Sequence, residues 1–106
     1  MPLESWTDLC GLEEIPVRGA RRLMLAGTEI AVFRTASDQV FAIDNKCPHR
    51  QGPLSEGIVH GAAVTCPLHS LVIDLATGQG QEEASGCVAT YPVELRGDRV
   101  FLKAAG

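Results

Sequence analysis

The chain has 106 residues and a formal net charge of −4, with 45% apolar residues, which suits one domain with a modest core. The acidic balance argues against nucleic acid as a partner, because nucleic-acid affinity comes mainly from Lys and Arg on phosphates. No apolar run is long enough to cross a membrane, and the N-terminus lacks a secretory signal, so we expect a cytoplasmic protein that does not contact membranes.

The first half of the chain predicts short β-strands. Residues 9–15 have room for one helical turn. Runs rich in Val, Ile and Phe follow at 23–25, 29–34 and 40–44, and they predict three strands of a meander. Turn-forming residues separate these strands at 27–28 and at 37–38.

The C-terminal part predicts a β-hairpin. Residues 90–96 alternate, with Tyr91, Val93 and Leu95 on one face, and this alternation predicts one strand. The dipeptide at 97–98 then turns the chain into a second strand at 99–103. Because Pro92 cannot donate to a strand ladder, we expect the first of these strands at a sheet edge or near a bulge.

The middle of the chain differs from both ends. Residues 45–80 are dense in Gly and Pro, with short strand-like runs at 58–60 and 71–74. The two ends would therefore build an antiparallel, sandwich-like β base. We predict an all-β fold in a single domain, 1–106, with a loop-rich subdomain inserted at about 45–80.

This insert contains two short pairs of metal-ligating residues. They are Cys47-Pro48-His49 and Cys66-Pro67-Leu68-His69, and sixteen residues separate His49 from Cys66. Two Cys and two His can hold one tetrahedral zinc, or two irons bridged by sulfide. Ligands one residue apart on an extended loop point in diverging directions, which favours two irons over a single small ion.

The remaining Cys and His residues lack this context. Cys10 and Cys87 lie far from the two pairs in sequence and have no neighbouring His, so we expect both to be small buried apolar residues. His60 is expected to be an ordinary surface or core histidine. Reduced thiols are the rule in the cytoplasm, where Cys and His clusters more often bind metal than form disulfides.

The spacing Cys-x-His, sixteen residues, Cys-x-x-His is the Rieske signature, and nearly the whole chain resembles that family. It is most similar to the small subunit of assimilatory NAD(P)H-dependent nitrite reductase. The similar stretches are 29–34, 47–50, 52–59, 66–69, 72–75, 77–78 and 90–93. The resemblance implies the Rieske iron–sulfur fold and a [2Fe-2S] cluster. It places Cys47 and Cys66 on the buried iron, and His49 and His69 on the outer iron.

The resemblance also implies a function in electron transfer rather than substrate binding. The chain would be a subunit of an oxidoreductase in nitrate assimilation. Its partner would be the large flavin and siroheme subunit, which reduces nitrite to ammonium. The sequence itself has no Gly-rich dinucleotide fingerprint. The alternative is a free Rieske ferredoxin that serves a ferredoxin reductase and an aromatic-ring dioxygenase. A cluster-free assembly module is a third possibility.

Departures from the family pattern bear on the reduction potential. High-potential relatives hold two hydroxyl groups against the cluster sulfurs, and Leu71 and Ile73 occupy those positions here. They also brace the loops with a disulfide, where this chain has Gly52 and Leu68. We therefore expect a potential near the low end of the Rieske range of about −150 to +300 mV.

The resemblance and the loops suggest further residues around the cluster. Asp44 and Asp74 could orient ligands or loops, or could be simple strand-end and turn carboxylates. Candidates for the rim of a docking face are Arg50, Gln51, Pro53, Leu68 and Ser70.

Overall fold

The fold consists almost entirely of antiparallel β-strands, in a computed structural model that describes residues 6–25, 27–46, 53–66, 72–80 and 87–103. The strands in these ranges are β1 Trp6–Gly11, β2 Gly19–Leu25, β3 Thr28–Arg34, β4 Val40–Asp44, β5 Ile58–His60, β6 Ala63–Thr65, β7 Val72–Asp74, β8 Thr90–Tyr91, β9 Val93–Arg96 and β10 Arg99–Lys103. Two 3-10 turns, Leu12–Glu14 and Leu54–Glu56, are the helical elements of the described residues, and none of these residues form a helix that could span a membrane. The predicted fold class is confirmed.

The strands form three sheets. The base sheet has the order β1-β10-β9 and joins the two ends of the chain. The central sheet has the order β2-β3-β4-β8, and the small sheet has the order β5-β6-β7. The small sheet lies between β4 and β8 in sequence, so it is an insertion into the central sheet.

The central sheet is covered on both faces at β3. Four consecutive residues of β3, at 30–33, are 0–2% exposed. Successive side chains of a strand point to opposite faces. Ala31 and Phe33 pack toward the small sheet, whereas Ile30 and Val32 pack toward the base sheet. This double burial explains why β3 is a continuous apolar run rather than an alternating one.

The protein has two hydrophobic clusters, one between the central and small sheets and one between the central and base sheets. Residues that pack on the small-sheet side of the central sheet are Leu54, Val59, Val64, Cys66, Ile73, Leu75 and Val88. Those on the base-sheet side are Cys10, Ile15, Val100 and Leu102.

The C-terminal strand prediction needs a correction, because the run at 90–96 is two strands. Residues 90–91 pair with β4, and residues 93–96 pair with β10 in the base sheet. The change of sheet falls at Pro92, which has no N–H to continue a ladder but accepts a hydrogen bond from the Lys103 N–H at 3.0 Å. Both strands are at sheet edges, and the hairpin at 97–98 is present.

The single helical turn that the sequence allows within 9–15 is present, but the strand before it was not predicted. Only Leu12–Glu14 form a helical turn, of the 3-10 type, and the residues before it form β1. The partner of β1 is β10, at the other end of the chain. This pairing is not a property of the local sequence, so alternation alone could not reveal the strand.

Candidate metal centre

The first predicted ligand pair, Cys47 and His49, lies outside the described residues, but both of its flanks are described. Asn45, the residue after β4, is 5% exposed. Its Oδ1 accepts a hydrogen bond from the Ser55 N–H at 2.6 Å. This contact joins the residues before the pair to the 3-10 turn after it. A buried amide therefore joins two described residues on either side of the segment that contains Cys47 and His49.

The second pair belongs to the connection between β6 and β7. These strands are antiparallel, with Thr65 opposite Val72, and residues 66–71 connect them in the sequence. Cys66 directly follows β6, is 1% exposed and belongs to the core on the small-sheet side. His69 lies outside the described residues. The described part of this loop thus places one thiol at its buried base.

The bases of the two loops are in contact. The 3-10 turn Leu54–Glu56 runs from the Asn45 contact to Gly57. A Cβ on Gly57 would be only 2.2 Å from the carbonyl oxygen of Thr65, the residue before Cys66. Leu54 is fully buried in the same core as Cys66. The 3-10 turn therefore lies between Asn45, which precedes the first ligand pair, and Thr65, which precedes the second.

This arrangement fits a shared metal centre. Cys66 is nearly excluded from water, which suits a thiolate ligand of an iron shielded from solvent. Cys47, His49 and His69 would complete a set of two thiolates and two imidazoles. Within the ranges that the structure describes, no three His, Cys, Asp or Glu residues could hold a metal ion together. The four-residue ligand set stays a prediction, because three of its members fall outside those ranges.

The other titratable candidates have ordinary structural partners. His60 is exposed, and its Nε2 lies 2.7 Å from the Thr65 hydroxyl. Asp74 accepts hydrogen bonds from two backbone N–H groups of the turn that follows it, at 2.8 and 3.2 Å. Asp44 accepts a hydrogen bond from the Tyr91 hydroxyl at 2.5 Å, and this bond raises the pKa of Tyr91 to about 12. Both carboxylates thus act as turn and strand-end groups.

The two other cysteines differ from each other. Cys10 is 2% exposed, as predicted, and burial raises the pKa of its thiol. Cys87 is exposed, so the prediction that it is buried was wrong. The next residue, Val88, takes the inward-facing position instead, at 8% exposure. Alternation along the backbone leaves the Cys87 thiol facing outward.

Two residues near the site were not singled out in the sequence. Asn45 is the only asparagine of the chain, and it follows an apolar strand directly. Ile58 is 70% exposed and pairs with Thr65, next to Cys66. Of the predicted rim residues, Pro53 is described and half-buried, and the others lie outside the described residues.

Comparison with known proteins identifies the class. Residues 5–103 match the model of a Rieske-like [2Fe-2S] domain. The ferredoxin component of a naphthalene 1,2-dioxygenase system from Pseudomonas aeruginosa is 32% identical, over 93% of this chain and 95% of that protein. A second such component, of naphthalene 1,2-dioxygenase/salicylate 5-hydroxylase systems from a Ralstonia species, is also 32% identical, over 94% and 96%.

Solved structures show the same fold. The ferredoxin of carbazole 1,9a-dioxygenase from Nocardioides aromaticivorans IC177 superposes with a TM-score of 0.84 at 25% identity, covering 95% of this chain and 99% of that one. A chain described as an NADH-dependent nitrite reductase small subunit from Mycobacterium tuberculosis gives a TM-score of 0.88 at 21% identity, covering 99% of both.

These matches define a Rieske-type electron-transfer protein. The chain belongs to the Rieske-like [2Fe-2S] domain family, and its cofactor is a Rieske [2Fe-2S] cluster. The predictions of family and cofactor are confirmed.

Proposed function

We propose that the chain is a free Rieske ferredoxin, which carries single electrons from a reductase to an aromatic-ring oxygenase. The observation that supports this most is the 32% identity to dioxygenase ferredoxin components over nearly the full length of both proteins. Those relatives are ferredoxin components, and their length is close to that of this chain. The sequence motifs favour the nitrite reductase subunit, whereas the full-length identity favours the free ferredoxin.

The proposed ligands are Cys47, His49, Cys66 and His69, in a single domain 1–106 whose insert at about 45–80 holds the centre. The cluster supplies one-electron transfer when it is bound. The two Cys would bind the inner iron, consistent with the burial of Cys66. The two His would bind the outer iron and face a partner. We propose the cytoplasm as its location.

A ferredoxin of this kind needs a docking face for its partner beside the metal centre. Ile58 offers an exposed apolar side chain one residue pair away from Cys66. All nine Lys and Arg residues lie within 18–50 and 96–103, so the segment 51–95 contains none. Glu56 and Asp74 on this segment are both exposed. We expect a partner surface with an apolar contact and a basic rim, so that added salt slows electron transfer.

Reconstitution tests this function. The purified protein, loaded with its cluster, should pass electrons from a ferredoxin reductase to a ring-hydroxylating oxygenase, measured as product formed per NADH oxidised. Ile58→Asp should slow the transfer, whereas Val17→Asp is the matched control, because Val17 is also exposed (53%) but precedes β2 at the end away from the loops. A cluster-loaded protein that supports no oxygenase turnover would contradict the proposal.

The nitrite reductase small subunit is the second candidate function. The similarity of residues 52–59 to that family supports it. The fold is compatible with it as well, with a TM-score of 0.88 over 99% of both chains. Stable co-purification with a large siroheme subunit would support this second function. Isolation as a free carrier that serves an oxygenase would support the first.

A further inference from the structure

Asn45 is an unusual residue in this fold, because it is one of only two polar residues that are buried within the described ranges. The other, Thr35, is at the opposite end of the β3–β4 hairpin. The Oγ1 of Thr35 accepts a hydrogen bond from the Gln39 N–H at 3.1 Å and closes the turn between these strands. Asn45 instead bonds to Ser55, and the nine residues between them in the sequence include Cys47 and His49.

Both polar atoms of the Asn45 side chain have partners. Oδ1 accepts the hydrogen bond from the Ser55 N–H at 2.6 Å, and Nδ2 donates to Oε1 of Glu29 at 3.2 Å. The backbone N–H of Asn45 also donates to the carbonyl oxygen of Glu29, at 3.0 Å. The side chain is therefore fixed between the start of β3 and the 3-10 turn that leads to Gly57.

The position of Asn45 relates one ligand loop to the other. Asn45 is two residues before Cys47, and its partner Ser55 is two residues before Gly57. Gly57 lies so close to the residue before Cys66 that an added Cβ would be 2.2 Å from the Thr65 carbonyl oxygen. A change at Asn45 would therefore alter how the first loop sits relative to the second. Residues that orient metal ligands by hydrogen bonding commonly change metal affinity by about 10- to 100-fold when they are mutated.

We propose that Asn45 is the positioning residue of the metal centre. It holds the loop of Cys47 and His49 in register with that of Cys66 and His69, through its hydrogen bonds to Ser55 and Glu29. This inference rests on the ligand set proposed above, and it assigns Asn45 no direct contact with the metal.

Four variants separate positioning from general stability. Asn45→Ala removes both side-chain hydrogen bonds. Asn45→Asp keeps an acceptor for the Ser55 N–H but places a carboxylate against that of Glu29. Adding Glu29→Gln to Asn45→Asp restores the contact with residue 29 with the donor and acceptor exchanged, because the new amide can donate to the new carboxylate, while the contact with the Ser55 N–H is kept. Thr35→Val is the matched control, since it removes a comparable buried acceptor far from the loops.

Three measurements apply to each variant. They are the electron paramagnetic resonance spectrum of the reduced protein, the rate of iron loss to a chelator, and the rate of tryptic cleavage after Lys46 and Arg50 in cluster-free protein. Both single Asn45 variants should lose iron about tenfold faster than wild type and show altered spectra. Asn45→Ala should also be cleaved faster in the cluster-free form. The double variant and Thr35→Val should stay near wild type.

Two results would overturn the inference. One is an Asn45→Ala protein that matches Thr35→Val in iron loss, spectrum and cleavage rate. The other is a double variant no better than Asn45→Asp. A failure of the proposed ligand set looks different, because wild type itself would then lack the mixed-ligand signal. The cleavage rates of the cluster-free proteins would still decide whether Asn45 fixes this segment.

Discussion

Gly57→Ala tests the close approach of Gly57 to Thr65, which lie beside the two proposed ligand segments. The backbone of Gly57, with φ −82° and ψ −177°, is one that any residue can adopt, so the substitution adds no backbone strain. Its cost is steric. The new Cβ would be 2.2 Å from the Thr65 carbonyl oxygen and 3.0 Å from Cγ2 of Val64.

The loss of stability in Gly57→Ala depends on how far the backbone at Gly57 or at Thr65 can shift. An ordinary contact needs about 3.5 Å, so the added Cβ at 2.2 Å requires the segment at Gly57 to shift by about 1.3 Å from Thr65. Thr65 cannot retreat easily, because β6 is the middle strand and is paired on both sides. Overpacking of this kind costs about 1–3 kcal/mol, and we expect a value near the upper end.

Urea unfolding of the cluster-free protein measures this free energy, and chelator challenge of the loaded protein measures iron retention. Gly61→Ala is the control. Gly61 has a φ of +59°, and a Cβ added there would have nothing within 4 Å. Its cost of about 1–2 kcal/mol is therefore purely conformational and should leave iron retention unchanged. The reasoning is refuted if Gly57→Ala retains iron as well as Gly61→Ala does and is no less stable.

Three further predictions concern pH, thiols and potential. Because the bond to Asp44 raises the pKa of Tyr91 to about 12, its contribution to stability is complete below pH 10 and is lost as the pH rises toward 12. The difference in unfolding free energy between wild type and Tyr91→Phe should therefore shrink by about 1 kcal/mol over that range, a value reduced for solvent screening. In the native protein a thiol reagent should label Cys87 rapidly, while Cys10 should react only on unfolding; equal rates would contradict the burial difference. A redox titration should give a midpoint near the low end of the Rieske range, since Ile73 replaces a hydroxyl donor, and a value above about +100 mV would contradict this.

The sequence predicted those parts of the fold that depend on neighbouring residues. The runs at 29–34 and 40–44 form strands because their apolar residues cover both faces of the central sheet. The hairpin at 97–98 follows from a two-residue turn between alternating segments. The family signature could also be recognised from the sequence, because it consists of Cys and His residues at short, fixed spacings.

Other features depend on residues far apart in the chain. The strand β1 exists because β10 pairs with it, and the break at Pro92 depends on two sheets competing for adjacent residues. Asn45 looks like an ordinary turn residue in the sequence, and only its contacts with Ser55 and Glu29 reveal its place beside the ligand loops. Cys87 was mispredicted because its inward or outward direction is set by Val88.

Electron paramagnetic resonance of the reduced, anaerobically purified protein tests the central claim most directly. Coordination by Cys47, His49, Cys66 and His69 predicts a [2Fe-2S] signal with an average g value below that of an all-thiolate cluster. His69→Ala should abolish this signal, whereas His60→Ala should leave it intact. An all-thiolate spectrum, or stoichiometric zinc in place of iron and sulfide, would contradict the account.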